Sequence, residues 1–180
     1  MIVTLFGRAS VAQKMKQFEN VIKLLVDAGH DVLLNESLYS IQGGLQNPFN
    51  LSKIKIPDDA IDYVLSLGGD GTMLEAVTWI GDKAIPVLGL NFGRLGFLTD
   101  TVASFTADTV KRLQEKDLVV DERSMLLWTN PEGEPIRRFP HALNDITIQR
   151  ASSSSMITIH VTIDGIPLNS YWADGLIIST

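Results

Sequence analysis

The residue with the most pointed chemistry is Asp70, set in Leu67-Gly68-Gly69-Asp70-Gly71-Thr72. Glycines let backbone approach a ligand closely and adopt positive φ. The run before them, Asp62 to Leu67, reads as a strand buried on both faces. After them, Met73, Leu74, Val77 and Ile80 fall at helical spacing. Strand, glycine turn and helix N-terminus in that order suit an anion, because the first N–H groups of the helix point outward. A carboxylate would repel a phosphate there, so Asp70 needs a chemical reason. It could take a proton from an attacking hydroxyl or help hold a metal on the phosphates. The plainer alternative is a tight turn, since Asp-Gly pairs are common turn formers. The strand before and the helix after favour a site. The glycine spacing is not the dinucleotide fingerprint, and the Gly-Lys-Ser/Thr ending of a P-loop is absent.

The elements that must position this turn read as alternating strands and helices. Ile2 to Phe6 is an apolar strand, followed by a turn with Ser10 as a candidate N-cap. Met15, Phe18, Ile22 and Leu25 mark a helix that Gly29 ends. Asp31 to Leu34 is a second strand, which completes a βαβ unit and implies a parallel sheet. Asn35 to Pro57 shows no sustained period and reads as a long loop, mobile or functional, or as a surface loop with a turn of helix. Ile85 to Leu90 is another buried strand, and its following loop, Asn91 to Asp100, should share the carboxyl edge with the Asp70 turn. Phe105, Thr109 and Leu113 suggest a further helix ending near Lys116.

Beyond about residue 118–124 the helical periods vanish. Met125 to Trp128, Ala142 to Ile148 and Met156 to Ile163 read as strands, with Asp164-Gly165 as a hairpin turn and Ser152 to Ser155 as a loop. The expected fold is therefore α/β, a doubly wound and mostly parallel sheet over residues 1–122, followed by the beginning of an all-β domain over 123–180. The chain ends just after an apolar strand, which leads us to expect a longer parent protein.

Composition narrows the classes. With 45% hydrophobic residues, the 180-residue chain can bury a core. A net charge of −6 disfavours a broad nucleic-acid surface. The absence of cysteine excludes disulfides, thiolate zinc sites and cysteine nucleophiles. No apolar stretch approaches a membrane span. His30, His141 and His160 have no metal-ligand spacing; His160, on an alternating strand, reads as structural and the other two as surface residues.

Four blocks together resemble the NAD kinase family. They are Leu67 to Thr72, Gly89-Leu90-Asn91 through Leu95-Gly96-Phe97-Leu98, Ala142-Leu143-Asn144-Asp145, and Ala173 to Thr180. The first block alone is shared with diacylglycerol and sphingoid lipid kinases and with phosphofructokinases; the four in order are far more specific. The resemblance implies an enzyme that phosphorylates the 2′-hydroxyl on the adenosine ribose of NAD with ATP (or polyphosphate), giving NADP, with magnesium or another divalent cation. It implies Asp70 as catalytic residue and Gly68, Gly69, Gly71 and Thr72 around the phosphates. NAD would meet Asp70, Gly71, Phe97 at the adenine, Asn144 and Asp145 at ribose hydroxyls, and Asp174 towards the nicotinamide. It also implies a cytoplasmic, homo-oligomeric full-length protein, with neither nucleic acid nor membrane as partner.

Read from the residues alone, core packing is the favoured account of Phe97, and Asp174-Gly175 is just a turn. Asn144 and Asp145 interrupt an apolar strand as a bulge or edge would, but two such groups, if buried, argue for binding. Two departures from the family stand out. Asp145 replaces a usual glutamate, and the family's Pro-Thr-Gly-Ser-Thr-Ala-Tyr-like continuation, part of its NAD site, does not follow Thr180. The 180-residue chain alone is accordingly expected to lack activity. The competing readings are a diacylglycerol- or sphingoid-type lipid kinase and a non-catalytic nucleotide-binding fragment.

Overall fold

A computed structural model describes residues 1–45, 49–92, 96–101, 105–137, 140–152 and 155–180. Gln46 to Pro48, Gly93 to Leu95, and Ser153 and Ser154 of the expected loops therefore lie outside the described residues. The chain divides into two compact units, Met1–Glu122 and Arg123–Thr180.

In the first unit, β1 (Ile2–Gly7), β2 (Asp31–Asn35), β3 (Ser52–Ile54), β4 (Tyr63–Leu67), β5 (Val87–Asn91) and β6 (Asp100–Thr101) form one sheet in the order β3-β2-β1-β4-β5-β6. Every pairing in it is parallel. The chain works outward from β1 to β3 and then returns across β1 to β4. The carboxyl ends of β1 and β4 thus flank the point where strand order reverses, the place where open α/β sheets form a crevice.

The period of two along the strands divides the core. Val3, Leu5, Leu65, Leu67 and Leu90 pack with Phe18, Ile22 and Leu25 of α1 (Met15–Asp27), and with Val110 and Leu113 of α4 (Ala107–Glu115). On the other face Phe6 meets Trp79 of α3 (Asp70–Ile80), their ring centroids 5.4 Å apart. Trp79 Nε1 also donates to the Lys55 carbonyl at 3.1 Å, which ties α3 to the chain beyond β3.

Several local expectations need correction. Ser10 caps nothing: a 3-10 segment, Ala9–Lys14, precedes α1, and Arg8 stands at its N-cap without a side-chain bond. The Asn35–Pro57 stretch holds a short helix, α2 (Glu36–Tyr39), a 3-10 turn at Gln42–Gly44 and the edge strand β3. Asn35 organises that stretch. Its Oδ1 accepts from the Leu38 amide at 3.2 Å and its Nδ2 donates to the Gly7 carbonyl at 2.9 Å, so one buried amide joins the end of β1 to the start of α2. Gly29 closes α1 with φ +78, donating to the Val26 carbonyl at 2.9 Å. His30, expected on the surface, is 7% exposed at the entry to β2. His141 is half-buried.

The second unit is antiparallel. β7 (Leu126–Leu127) pairs with β8 (His141–Ala142), β9 (Asp145–Gln149) with β12 (Gly175–Ser179), and β10 (Ile157–Ile163) with β11 (Ile166–Ala173). Asp164 and Gly165 both take positive φ, +52 and +80, which turns β10 into β11 as a tight hairpin. His160 Nδ1 lies 2.6 Å from Ser170 Oγ across that hairpin, a structural pairing. Ile166, Leu168, Trp172 and Ile177 are exposed, and among the described residues Leu143 is the buried large hydrophobic residue of this unit.

Candidate active site

The helix of the glycine turn starts earlier than its apolar spacing suggests. α3 begins at Asp70, with Gly69 as N-cap and no side chain capping it. The Thr72 amide donates to the Gly69 carbonyl at 2.9 Å, so among the described residues the first-turn N–H groups presented to a ligand are those of Asp70 and Gly71. A carboxylate in the first turn agrees with the helix dipole. The Gly68 amide donates to the Leu90 carbonyl at 3.0 Å, so the turn is fastened to β5.

The glycines here supply space rather than positive φ. Among the described residues the positive-φ glycines are Gly29, Gly81, Gly133 and Gly165, and none belongs to the turn. A Cβ on Gly68 would sit 2.2 Å from Thr72 Oγ1, so the missing side chain lets buried Thr72 pack beneath the turn. A Cβ on Gly96 would sit 2.1 Å from Asp70 Oδ1. The Gly96–Thr99 segment can pass over Asp70 only because it starts with glycine.

That segment wraps the carboxylate. Asp70 Oδ2 accepts from the Phe97 amide at 2.8 Å; Oδ1 accepts from the Leu98 amide at 3.1 Å and from Thr99 Oγ1 at 3.1 Å. These bonds, the Phe97 amide foremost, hold the Asp70 carboxyl below the ordinary carboxylate range, while desolvation opposes them. A carboxylate offers roughly four acceptor positions. Among the described residues three are filled, two on Oδ1 and one on Oδ2, so Oδ2 has one position without a described partner. Asp70 is an ionised acceptor with that direction open among the described residues.

Phe97, bonded through its backbone to that same oxygen, has a fully exposed ring. It is not core, and an aromatic face beside a hydrogen-bonding carboxylate suits a flat heteroaromatic ligand. Arg8, at the end of β1, is a residue that its sequence context does not single out. Its Nε and Nη2 meet Glu75 of α3 at 3.0 and 2.5 Å, and Nη2 lies 3.9 Å from where a Gly71 Cβ would be. The strand-order reversal between β1 and β4 would have pointed to it.

Asp70, Gly68, Gly69, Gly71, Thr72 and Phe97 thus share the carboxyl edge of one sheet. Asn144, Asp145 and Asp174 belong to the second unit and are exposed, so the argument from burial made for Asn144 and Asp145 fails. Asp145 pairs with Ser179 at one end of the β9–β12 ladder, and Thr147 Oγ1 donates to its Oδ1 at 3.2 Å. Asn144 accepts through its carbonyl from the Thr180 amide at 3.3 Å. Asp174 lies beyond the other end, 2.8 Å from Arg150 Nη1. A five-residue ladder separates the two ends by roughly 15 Å. Among the described residues no group of three His, Cys, Asp or Glu is placed to hold a metal ion.

Comparison with known proteins gives this geometry a family. The description "ATP-NAD kinase N-terminal domain" matches residues 3–118. The chain is 37% identical to an NAD kinase of Cytophaga hutchinsonii, covering 100% of this chain and 63% of the relative. It is 36% identical to an NAD kinase of Bacteroides fragilis, covering 100% of this chain and 62% of the relative. The chain therefore spans about three-fifths of the length of the curated relatives it matches. In fold it is similar to yeast NADH kinase complexed with NADH (TM-score 0.74, 21% identity, 98% of this chain and 56% of that one). It is also similar to an NAD kinase from Archaeoglobus fulgidus in complex with ATP (TM-score 0.68, 22% identity, 99% of this chain and 60% of that one). Match and fold agree over the unit that carries Asp70, and the chain belongs to the ATP-NAD kinase family.

Proposed function

We propose that the full-length protein transfers the terminal phosphoryl group of ATP to the 2′-hydroxyl on the adenosine ribose of NAD. The observation that carries this reading is the Asp70 carboxylate, fixed by three hydrogen bonds from the Phe97–Thr99 segment, with a position on Oδ2 open among the described residues beside the exposed ring of Phe97. An adenine laid on Phe97 would bring its ribose towards that oxygen. The 2′-oxygen then attacks phosphorus, the bond from the terminal phosphorus to its bridging oxygen breaks, and the hydroxyl proton leaves towards Oδ2. Because Asp70 is a weak base, its main contribution is to orient the hydroxyl and to place negative charge beside it. A loose phosphoryl-transfer transition state asks for little more.

Gly68, Gly69 and Gly71, with the N-terminus of α3, receive the phosphates in this proposal, and Thr72 supports them from below. Asn144 and Asp145 take ribose hydroxyls, while Asp174 at the far end of its ladder faces the nicotinamide side. A dinucleotide is long enough to have polar groups at both ends. The divalent cation is carried on the triphosphate as part of the substrate. A cytoplasmic, homo-oligomeric enzyme completes the proposal, supported by the family resemblance. Relatives named NAD kinase favour this acceptor over a diglyceride.

The test is incubation of the full-length protein with labelled ATP and magnesium, offered NAD, NADH or diacylglycerol. Label in NADP or NADPH is the expected result. Transfer to the lipid alone would overturn the proposal, and so would nucleotide binding without transfer to any acceptor.

A further inference from the structure

We propose that Thr99 is the positioning residue that aims Asp70, seated by the missing side chain of Gly89 and oriented by Asn91. The inference rests on the reading of Asp70 given above and goes beyond it, because it assigns the orientation of the carboxylate to a set of residues outside the glycine turn.

Thr99 is buried, 6% exposed, and its hydroxyl takes part in two hydrogen bonds. Asn91 Nδ2 donates to Thr99 Oγ1 at 3.1 Å, and Thr99 Oγ1 donates to Asp70 Oδ1 at 3.1 Å. Because an amide NH2 can only donate, it occupies a lone pair of the hydroxyl and leaves the hydroxyl proton for Asp70. Asn91 is itself 4% exposed at the end of β5, so the chain of bonds starts from a strand of the central sheet. The seat is equally specific. A Cβ on Gly89 would lie 2.7 Å from Thr99 Cγ2 and 3.2 Å from its Cα and Cβ. Only a glycine in β5 lets Thr99 approach this closely.

The consequence is stereochemical. With the Leu98 amide and the Thr99 hydroxyl both on Oδ1, that oxygen is saturated, and among the described residues Oδ2 is the oxygen left to take an incoming hydroxyl. Without the Thr99 hydroxyl, Oδ1 reopens. The acceptor hydroxyl can then bind either oxygen, and one of the two places it out of line. Phe97 and Asp70 are also coupled in this way, since one four-residue segment carries both the aromatic face and the bonds that fix the carboxylate.

The experiment is a set of variants in the full-length protein, read as kcat and KM with NAD and magnesium-ATP, with thermal unfolding as the folding control. Thr99→Val keeps shape and removes the hydroxyl. It should lower kcat about ten- to a hundredfold, the effect of losing a hydrogen bond to a charged group, with little change in KM for NAD. The acid limb of the pH profile should move to higher pH, because a bond to the ionised form has gone. Thr99→Ser should stay close to wild type. Gly89→Ala should lose activity by pushing on Thr99, and Gly89→Ala with Thr99→Ser should recover part of it, since serine has no Cγ2 to collide. Thr99→Val added to Asp70→Asn should cost nothing further.

If Thr99→Val costs as much in the Asp70→Asn background as in the wild type, Thr99 is merely structural and the proposal is overturned, with the role of Asp70 left intact. Loss in Thr99→Ser as deep as in Thr99→Val would overturn it too. Near-normal turnover in folded Asp70→Asn would remove the role of Asp70 itself, and this inference with it.

Discussion

The glycines of the two units serve different ends. In the hairpin of the β unit, Gly165 is defined by its backbone: φ is +80 and nothing lies within 4 Å of where a Cβ would be. In the α/β unit, Gly68, Gly89 and Gly96 are defined by their surroundings, with side-chain atoms 2.2, 2.7 and 2.1 Å from the absent Cβ. The first kind makes a turn possible. The second kind lets Thr72, Thr99 and Asp70 approach backbone that a side chain would hold away, and it brings Asp70 within bonding distance of the Phe97 and Leu98 amides. The polar residues differ in the same sense. Asp70 is held by three hydrogen bonds from one segment, whereas Asp145, Asn144 and Asp174 are exposed and lightly tethered. A polar group that must be aimed needs a packed frame, and the α/β unit supplies one.

On that contrast, the largest effect belongs to Asp70. Asp70→Asn preserves size and turn propensity but removes the charge and puts an NH2, which can only donate, in the place of one carboxylate oxygen. We expect kcat in the full-length protein to fall by roughly two to four decades, the range of positioned acid–base groups. KM for NAD should move much less. Steady-state kinetics with thermal unfolding as a folding control measures this; a folded variant with ordinary turnover would make Asp70 a turn former.

Next come the glycines, compared directly. Gly96→Ala places a Cβ onto Asp70 Oδ1, so either the segment or the carboxylate must move. Turnover should fall by about tenfold or more, as expected when a hydrogen bond to a charged group is lost. Gly165→Ala meets no atoms but must hold a left-handed φ, which costs about 1 kcal/mol of stability and should leave turnover alone. Circular-dichroism melts and kinetics on the two variants test the distinction. Activity loss in Gly165→Ala, or stability loss without activity loss in Gly96→Ala, would break it.

This contrast also shows what can be read in advance. The sheet is legible because Val3, Leu5, Leu65, Leu67 and Leu90 are apolar in strand-length runs separated by helical spacing, and that pattern follows directly from burial on two faces. The hairpin is legible in Asp164-Gly165, whose φ requirement is a property of the two residues alone. The edge strand β3 is not: its three residues include only one half-buried side chain, so no alternation betrays it. Ser10 misleads because capping depends on where the helix starts, and a 3-10 segment intervenes. The glycine turn is recognisable for a partly wrong reason. Positive φ is a local property, and the turn does not use it; closeness to Thr72, Asp70 and Thr99 is a tertiary property that no spacing of glycines encodes. The exposure of Asn144 and Asp145 is hidden for a related reason, since an apolar flank shows burial only when something covers it.

The smallest effect tests the packed frame away from the site. Burial in the α/β unit extends to polar groups with no hydrogen-bond partner among the described residues: Thr4 Oγ1, Ser66 Oγ and both ring nitrogens of His30. His30 contrasts with His160 of the β unit, whose Nδ1 has Ser170 beside it. Burial pushes the His30 pKa below its ordinary value of 6.5, the nearby N-terminal amino group adds to this, and Asp62 and Asp31 oppose it. A histidine depressed in the folded state binds its proton more readily when unfolded. Its contribution is therefore complete above 6.5 and is lost as pH falls towards the folded-state value. The melting temperature should decline as pH drops through and below that point. His30→Gln, which cannot titrate, should show a shallower decline over the same range while leaving turnover at neutral pH unchanged. Melts recorded across this interval for both proteins decide the matter. Parallel curves would mean that His30 reaches water before the unit unfolds, and that the frame around the entry to β2 opens locally rather than with the sheet.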